Sequence, residues 1–192
     1  SFGIEIMNKN FKQFIIKPNQ KVILNKASEK ISDAFYTIES DASSASYIGA
    51  YVAIHPQKPI IIENISTNSL QGDIKMLKYF QKMGCKISEQ KNGTLIQGPK
   101  RLKALGTVDM NSCPDIVMTF AVLALFTKGK TKITNIENLR IKETDRIQAL
   151  ENEISKLVKH FNLPAKVKTG KNWIEIQSKK LSPGITFGQN NR

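Results

Sequence analysis

Residues 132–176 read KITNIENLRIKETDRIQALENEISKLVKHFNLPAKVKTGKNWIEI, and the fold follows from the pattern in this stretch. The β-rich start, 132–136, predicts a strand. Apolar residues then recur at the spacing of a core-facing stripe, which predicts a helix over 142–161. That stripe comprises Ile147, Leu150, Ile154, Leu157, Val158 and Phe161. Two short apolar runs around turn residues, 165–167 and 173–176, complete the pattern as a hairpin.

The same pattern occurs about 74 residues earlier. Its strand, helix and hairpin are predicted at 59–65, 70–83, and 85–87 with 94–96. Each copy is preceded by a further helix, at 43–55 and 114–127, and Asp41 and Asp115 stand at the equivalent helix starts. We therefore predict an α+β fold in which two βαβαββ units extend from residue 41 to about residue 178.

The two ends of the chain resemble parts of further units. Residues 1–39 contain a third hairpin pattern, 3–6 with 14–16, and are interpreted as the tail of an earlier unit. Residues 179–192 are interpreted as the start of a later one. We therefore expect the chain to be a piece of a longer protein.

Composition restricts the class of protein. A chain of 192 residues that is 40% hydrophobic can bury a sizeable core. The longest apolar run, 116–126, is far shorter than the ~20 residues of a membrane span, and no secretion signal opens the sequence. Cys85 and Cys113 form no metal-binding pattern with the two histidines. We expect a cytoplasmic protein without a bound metal.

The net charge of +13 raises the question of nucleic acid as a partner. The lysines are scattered along the sequence, however, and no basic stripe with interleaved aromatic residues is present. Only four of the 29 basic residues are arginines. We interpret the lysines as solvating surface with a general attraction for small anions, and expect no nucleic-acid partner and no membrane contact.

Asn138, Lys142 and Arg146 recur at intervals of four residues where the last helical pattern begins. On a helix they would line one face of the first turn, beside the Glu143 carboxylate. The start of a helix offers free N–H groups and a positive dipole end, which favour anions. The alternative is a set of ordinary surface pairs worth only ~0.3–0.5 kcal/mol each.

Carboxylates stand near the start of both leading helices. Asp41, followed by two serines, is typical of a helix cap. Asp115 follows Pro114 in an otherwise apolar helix, and folding of the second unit would bring it beside Lys142. A carboxylate beside a cationic anion site is a candidate general base. Cys113 is interpreted as a small buried packing residue.

Four runs resemble one family in order and spacing: DASSASY at 41–47, NSLQGD at 68–73, PD at 114–115 and KETDR at 142–146. They look like 5-enolpyruvylshikimate-3-phosphate synthase, and the resemblance extends from about Phe2 to Arg192. It implies a fold of two lobes, each of three βαβαββ units. The implied reaction transfers the enolpyruvyl group of phosphoenolpyruvate to the 5-hydroxyl of shikimate 3-phosphate, without metal or cofactor.

The resemblance also implies roles for single residues. Asp115 would accept the proton of the attacking hydroxyl, and Glu143 would exchange a proton with the phosphoenolpyruvate methylene group. Asn138 and Lys142 would bind shikimate 3-phosphate. Arg146 would hold phosphoenolpyruvate, because a guanidinium suits carboxylate and phosphate geometry.

The chain departs from the family in several places. Arg192 corresponds to a second phosphoenolpyruvate-binding arginine, although Asn190 and Asn191 before it differ from the family's Asp-His pair. The stretch 159–164 resembles an insertion and predicts a loop. The family's N-terminal lysine, its Ser-Ser-Gln segment and a late lysine have no counterpart in this chain.

Residues 1–39 are therefore predicted to close the substrate-binding lobe, and residues 40–192 to form most of the catalytic lobe. The expected partners are the two substrates and the remaining lobe of a longer parent chain. This piece alone is expected to show little or no turnover. A different enolpyruvyl transferase or, less favoured, a basic nucleic-acid-binding module stay as alternatives.

Overall fold

The computed structural model describes residues 3–21 and 38–179, and the chain divides into two compact regions, Ser1–Ile38 and Glu39–Arg192. The described part of the first region is an antiparallel hairpin of β1 (Ile6–Lys9) and β2 (Gln13–Ile16). Its first strand was predicted at 3–6, which is wrong. The tight turn falls just after Lys9, at residues with positive φ, and this pairs Ile6 with Ile16. The assignment of the regions to two lobes stays a prediction.

The second region alternates helices and strands. Its elements are α1 (Ala42–Ile54), β3 (Ile60–Glu63), α2 (Met76–Lys82), β4 (Lys86–Gln90), β5 (Gly93–Gln97), β6 (Gly106–Asp109), α3 (Val117–Ala124), β7 (Lys128–Thr134), α4 (Arg146–His160), β8 (Ala165–Gly170) and β9 (Trp173–Lys179). Short 3-10 turns at Gly72–Lys75, Pro114–Ile116 and Glu137–Ile141 precede α2, α3 and the segment leading to α4. The helices predicted from 70 and 114 therefore begin as 3-10 turns.

The order of elements confirms the repeat. The second copy is complete: β6 pairs parallel with β7, and β7, β9 and β8 follow in antiparallel order. In the first copy β3, β5 and β4 form the matching antiparallel sheet. The leading strand of the first copy would precede α1 and lies outside the described residues. The helical stripe of α4 is confirmed at Ile147 and Ile154, which are buried, but Phe161 follows the end of the helix and is exposed.

The core of the second region joins both copies of the repeat. Phe80 from the first copy packs on Phe120 from the second, with ring centroids 5.0 Å apart. The leading helices α1 and α3 are tied by a buried hydrogen bond of 2.8 Å between the Ser46 and Thr119 hydroxyls. Cys113 is buried, as predicted for a packing residue. The contact between α1 and α3 brings the starts of the two leading helices to one place.

The outer face of the four-stranded sheet is rich in lysine. Alternate residues of β7, β8 and β9 point away from the core, and the lysines among them form what we call the lysine face: Lys128, Lys130, Lys132, Lys166, Lys168 and Lys179. Lysines that are scattered in sequence are therefore clustered in space, because a strand returns every second residue to the same face. Lys130 pairs with Glu175 at 3.7 Å, and Lys132 lies 4.4 Å from the Trp173 ring centroid.

Across residues 3–21 and 38–179, no helix has the length and apolar character needed to cross a membrane.

Candidate active site

The segment before α4 is held in place by Arg140. This side chain donates from Nε to the Lys171 carbonyl at 2.7 Å and from Nη2 to the Gly170 carbonyl at 2.5 Å, both in the β8–β9 turn. Its Nη1 binds the Asp145 carboxylate at 2.6 Å. Asp145 in turn accepts a hydrogen bond from the Gln148 N–H and caps α4. Both ends of the segment 140–145 are therefore anchored.

This anchoring corrects one prediction. The helix was expected to begin near Lys142, but α4 begins at Arg146, and Lys142 has an extended backbone. The cap residue Asp145 stops the helix from extending further toward the N-terminus, because the capping residue itself is not helical. Asn138, Lys142 and Arg146 therefore do not share one face of a first helical turn.

Folding nevertheless brings all four of the charged candidates that the structure describes into one cluster. Asp115, in the 3-10 turn before α3, accepts a hydrogen bond from Arg146 Nη1 at 2.8 Å. Lys142 Nζ lies 3.6 Å from the same Asp115 oxygen. Arg146 also donates two hydrogen bonds to the Glu143 carboxylate, at 2.8 Å from Nε and 3.0 Å from Nη2. One guanidinium thus bridges the two carboxylates.

A cleft of about 560 Å³ opens over this cluster. Its lining comes from the starts of α1 and α3, from the segment leading into α4 and from α4 itself: Ser43, Tyr47, Asp115, Met118, Lys142, Glu143, Arg146, Ala149, Leu150 and Glu153. The Arg146 side chain is 23% exposed whereas that of Glu143 is 65% exposed. The cation is therefore the fixed element of the pair and the carboxylate the accessible one.

The electrostatics follow from these contacts. The hydrogen bonds from Arg146 hold the pKa of Glu143 below its usual value, and Lys142 adds a smaller effect of the same sign. In the same way Glu143 raises the pKa of Arg146. A cleft that holds two cations against two carboxylates can bind an anion at the cations and transfer protons at the carboxylates.

One predicted site residue, Asn138, stands apart from the cleft. Asn138 lies on the 3-10 turn Glu137–Ile141 and is not part of the cleft lining described above. Its side-chain oxygen is buried and has no hydrogen-bond partner among the described residues. An unsatisfied buried acceptor is costly, so this atom is available to a ligand or to another part of the protein. Arg192 lies outside the described residues.

Three residues at this site escaped the sequence reasoning. Ser43 and Tyr47 line the cleft, although their motif was interpreted only as a cap and a family resemblance. The cap itself is confirmed, because Asp41 accepts hydrogen bonds from two N–H groups at the start of α1. Asp73 lies behind Ser43 and accepts the hydrogen bond of its hydroxyl group. The repeat could have indicated Ser43 and Tyr47 as site residues, because it makes the start of α1 equivalent to the start of α3, near which Asp115 lies. Among the described residues no cluster of three or more His, Cys, Asp or Glu side chains could hold a metal ion.

The sequence of the chain is similar to a known family over nearly its whole length. The family model described as EPSP synthase (3-phosphoshikimate 1-carboxyvinyltransferase) matches residues 1–186. The 3-phosphoshikimate 1-carboxyvinyltransferase of Buchnera aphidicola subsp. Cinara cedri is 43% identical over 177 residues, which are 91% of this chain and 37% of that relative. The enzyme of that name from Methanococcus aeolicus is 39% identical over 160 residues, 81% of this chain and 34% of the relative. The chain thus spans little more than a third of such relatives.

Solved structures agree on the fold. An EPSP synthase from Acinetobacter baumannii superposes with a TM-score of 0.68 at 19% identity, covering 94% of this chain and 39% of that structure. At this identity the comparison shows the fold alone, and it agrees with the α+β repeat predicted from the sequence. The family assignment rests on the sequence match across residues 1–186. This chain belongs to the EPSP synthase family.

Proposed function

We propose that the complete protein transfers the enolpyruvyl group of phosphoenolpyruvate to the 5-hydroxyl of shikimate 3-phosphate, in the shikimate pathway. The observation that carries the proposal is the bridge from Arg146 to both Asp115 and Glu143, with Lys142 beside it. Transfer to a hydroxyl requires a base for that hydroxyl and an acid for the methylene carbon. The two carboxylates of this cluster supply the two groups at one anion site.

The roles follow from the position of each group. Asp115 takes the proton of the attacking hydroxyl, and Lys142 beside it binds the anionic acceptor substrate. Glu143, the more exposed carboxylate, delivers a proton to the methylene carbon of phosphoenolpyruvate. Positive charge then develops on the neighbouring carbon and the hydroxyl adds there. In the second step Glu143 takes a proton back from the new methyl group, the carbon–carbon double bond re-forms, and phosphate leaves with the proton that the hydroxyl lost. Asn138 contributes its buried free oxygen to the acceptor substrate, and Arg192 is proposed as a second contact to phosphoenolpyruvate.

Arg146 links binding to proton transfer. Its donors are occupied by Glu143 and Asp115. The carboxylate or phosphate of phosphoenolpyruvate competes for the same donors, because a guanidinium binds such groups with two parallel bonds. When Glu143 loses the guanidinium, its pKa moves back toward the ordinary value. Binding therefore increases the fraction of Glu143 that carries a proton at the time when a proton is needed.

The experiment is phosphate release by the complete parent protein supplied with both substrates. Replacing Asp115 by Asn is expected to lower kcat by about 100-fold or more, the usual contribution of a general base. Lys142→Ala should raise KM for shikimate 3-phosphate, whereas Lys166→Ala, a lysine on the outer sheet face, should change neither constant. Full activity in Asp115→Asn and Lys142→Ala would refute the roles given to these residues. A wild-type parent that releases no phosphate with shikimate 3-phosphate would favour a different enolpyruvyl transferase.

The 192-residue chain is itself proposed to have little or no turnover, and to need the rest of its parent for substrate binding. The support is the absence from its sequence of the family's N-terminal lysine and Ser-Ser-Gln segment. Phosphate release at a rate near that of the complete protein would contradict this. A cytoplasmic location remains a prediction.

A second candidate, nucleic-acid binding, draws on the lysine face. Contacts to a phosphate backbone weaken steeply as salt rises. A fluorescent single-stranded oligonucleotide titrated at two salt concentrations distinguishes the candidates. Tight, salt-sensitive binding that is lost in Lys130→Glu would support nucleic-acid binding. Weak binding that is unaffected by this change would exclude it.

A further inference from the structure

The run Gln71-Gly72-Asp73 joins the starts of both leading helices, although the mechanism above gives it no role. Gln71 accepts the first N–H of α1, from Ala42, at 2.9 Å and donates to the Ser40 carbonyl at 2.8 Å. Its side chain thus fixes the backbone that enters α1.

Gly72 lets this run approach the second copy of the repeat. A Cβ at this position would lie 2.6 Å from the Ser112 carbonyl oxygen, closer than such atoms approach one another. Ser112 belongs to the loop that leads to Asp115. Only glycine therefore permits this backbone contact, and the contact brings the next residue, Asp73, to the rear of the cleft.

Asp73 accepts a hydrogen bond from the hydroxyl group of Ser43, and Ser43 lines the cleft. A serine hydroxyl has one proton and two acceptor lone pairs. Since that proton is directed at Asp73, the oxygen offers only its lone pairs to the cleft. The charged groups that act on Asp73 are Asp115 and Asp41, which repel it, and Lys142, which attracts it.

We propose that Asp73 is a positioning residue that makes Ser43 Oγ a dedicated hydrogen-bond acceptor for a hydroxyl group of the acceptor substrate. The inference rests on the proposed function and extends it to substrate selection. An acceptor backed by a carboxylate attracts hydroxyl donors and repels anions. The cleft therefore has an anion-binding part at Lys142 and Arg146, and a hydroxyl-reading part at Ser43.

The energetics distinguish this role from a structural one. Burial raises the pKa of Asp73, and the neighbouring carboxylates add to the rise. A group whose folded pKa is raised contributes stability only at low pH, and this contribution is lost as pH rises through the folded pKa. At neutral pH the charge on Asp73 therefore lowers the free energy of unfolding. Asp73→Asn, which keeps an acceptor oxygen, should leave the melting temperature unchanged or higher.

The test uses the complete parent protein with four variants. Ser43→Ala is expected to raise both Kd and KM for shikimate 3-phosphate about tenfold, the value of one hydrogen bond, with KM for phosphoenolpyruvate unchanged. Asp73→Asn should shift the same constants in the same direction by about threefold, since an amide can also turn its donor toward Ser43. Ser43→Thr keeps the hydroxyl and should restore tight binding. Lys166→Ala, which changes a β8 residue of the lysine face outside the cleft lining, is the control and should leave these constants unchanged.

The outcomes separate the two proposals. If the parent binds shikimate 3-phosphate and releases phosphate, but Ser43→Ala binds as tightly as wild type, the role of Ser43 and Asp73 is refuted and the function stands. A drop in melting temperature of Asp73→Asn with unchanged Kd assigns Asp73 a structural role and also refutes the inference. If the wild-type parent neither binds nor turns over the substrates, the proposed function is wrong and this inference fails with it.

Discussion

Replacing Gly49 by alanine is expected to destabilise the region that carries the cleft. Gly49 is buried in α1, and a Cβ there would lie 2.5 Å and 2.7 Å from two ring carbons of Phe80. Phe80 is fully buried and its ring packs on Phe120 at 5.0 Å, so it has no free space to move into. The glycine is therefore required by packing, whereas helix propensity alone would favour alanine.

The size of the effect follows from these two opposing contributions. Alanine stabilises a helix interior by about 1 kcal/mol relative to glycine. Overpacking a close-packed core costs about 1–3 kcal/mol, and a 2.5 Å approach belongs in the upper part of that range. The net loss is therefore about 1–2 kcal/mol in the free energy of unfolding. For a protein of this size it corresponds to a fall in Tm of about 2–8 °C.

Denaturant unfolding followed by circular dichroism measures this loss, and Phe80→Leu provides the control. The shorter side chain removes the clash, so Gly49→Ala introduced into the Phe80→Leu background should become neutral or stabilising. The double-mutant cycle then gives a coupling energy of about 1–3 kcal/mol. A single Gly49→Ala variant as stable as wild type, or a cycle with no coupling, would refute the packing argument.

Three further predictions concern the segment before α4. Arg140→Ala should lower the free energy of unfolding by about 2 kcal/mol, because three charge-assisted hydrogen bonds are lost at a partly exposed site. Arg140→Lys should recover only part of this loss. Denaturant unfolding curves that are unchanged in Arg140→Ala would contradict the anchoring role. Arg146→Gln should raise the pKa of Glu143 toward its ordinary value in an NMR titration. Because the folded pKa of Glu143 is depressed, its contribution to stability is present above the unfolded pKa and lost as pH falls through the folded one, and this acid-dependent loss should disappear in Arg146→Gln. Finally, phosphoenolpyruvate binding to the complete parent should take up protons at mildly acidic pH, as measured by calorimetry in buffers of different ionisation enthalpy; an uptake that persists in Glu143→Gln would exclude Glu143 as its source.

Periodicity in the sequence was enough to predict the repeat. The α4 stripe through Ile147 and Ile154 and the alternation in β7 and β9 each report which face of an element is buried, and burial is a local property of the pattern. The cap at Asp41 was equally local, since a carboxylate and the N–H groups it accepts are two or three residues apart. These features required no knowledge of how elements pack.

Helix starts were predicted less well, because they depend on contacts between residues that are distant in the sequence. Lys142 was expected in the first turn of α4, but Arg140 and the β8–β9 turn hold the segment outside the helix until Asp145. The bond from Arg140 to Lys171 spans 31 residues, and no local pattern announces such a contact. The clustering of lysines on the outer sheet face was missed likewise, because it depends on which strands become neighbours.

The sequence by itself thus determined the α+β repeat, the family and most of the charged residues of the cleft. Only the tertiary structure decided that Arg146 bridges Asp115 and Glu143, and that Asp73 directs the hydroxyl of Ser43. The physical reason is that burial patterns are set by near neighbours, whereas the geometry of a site depends on side chains some thirty residues apart. Their distances are set by the packing of α1 on α3, of α1 on the turn that carries Asp73, and of α4 on α3.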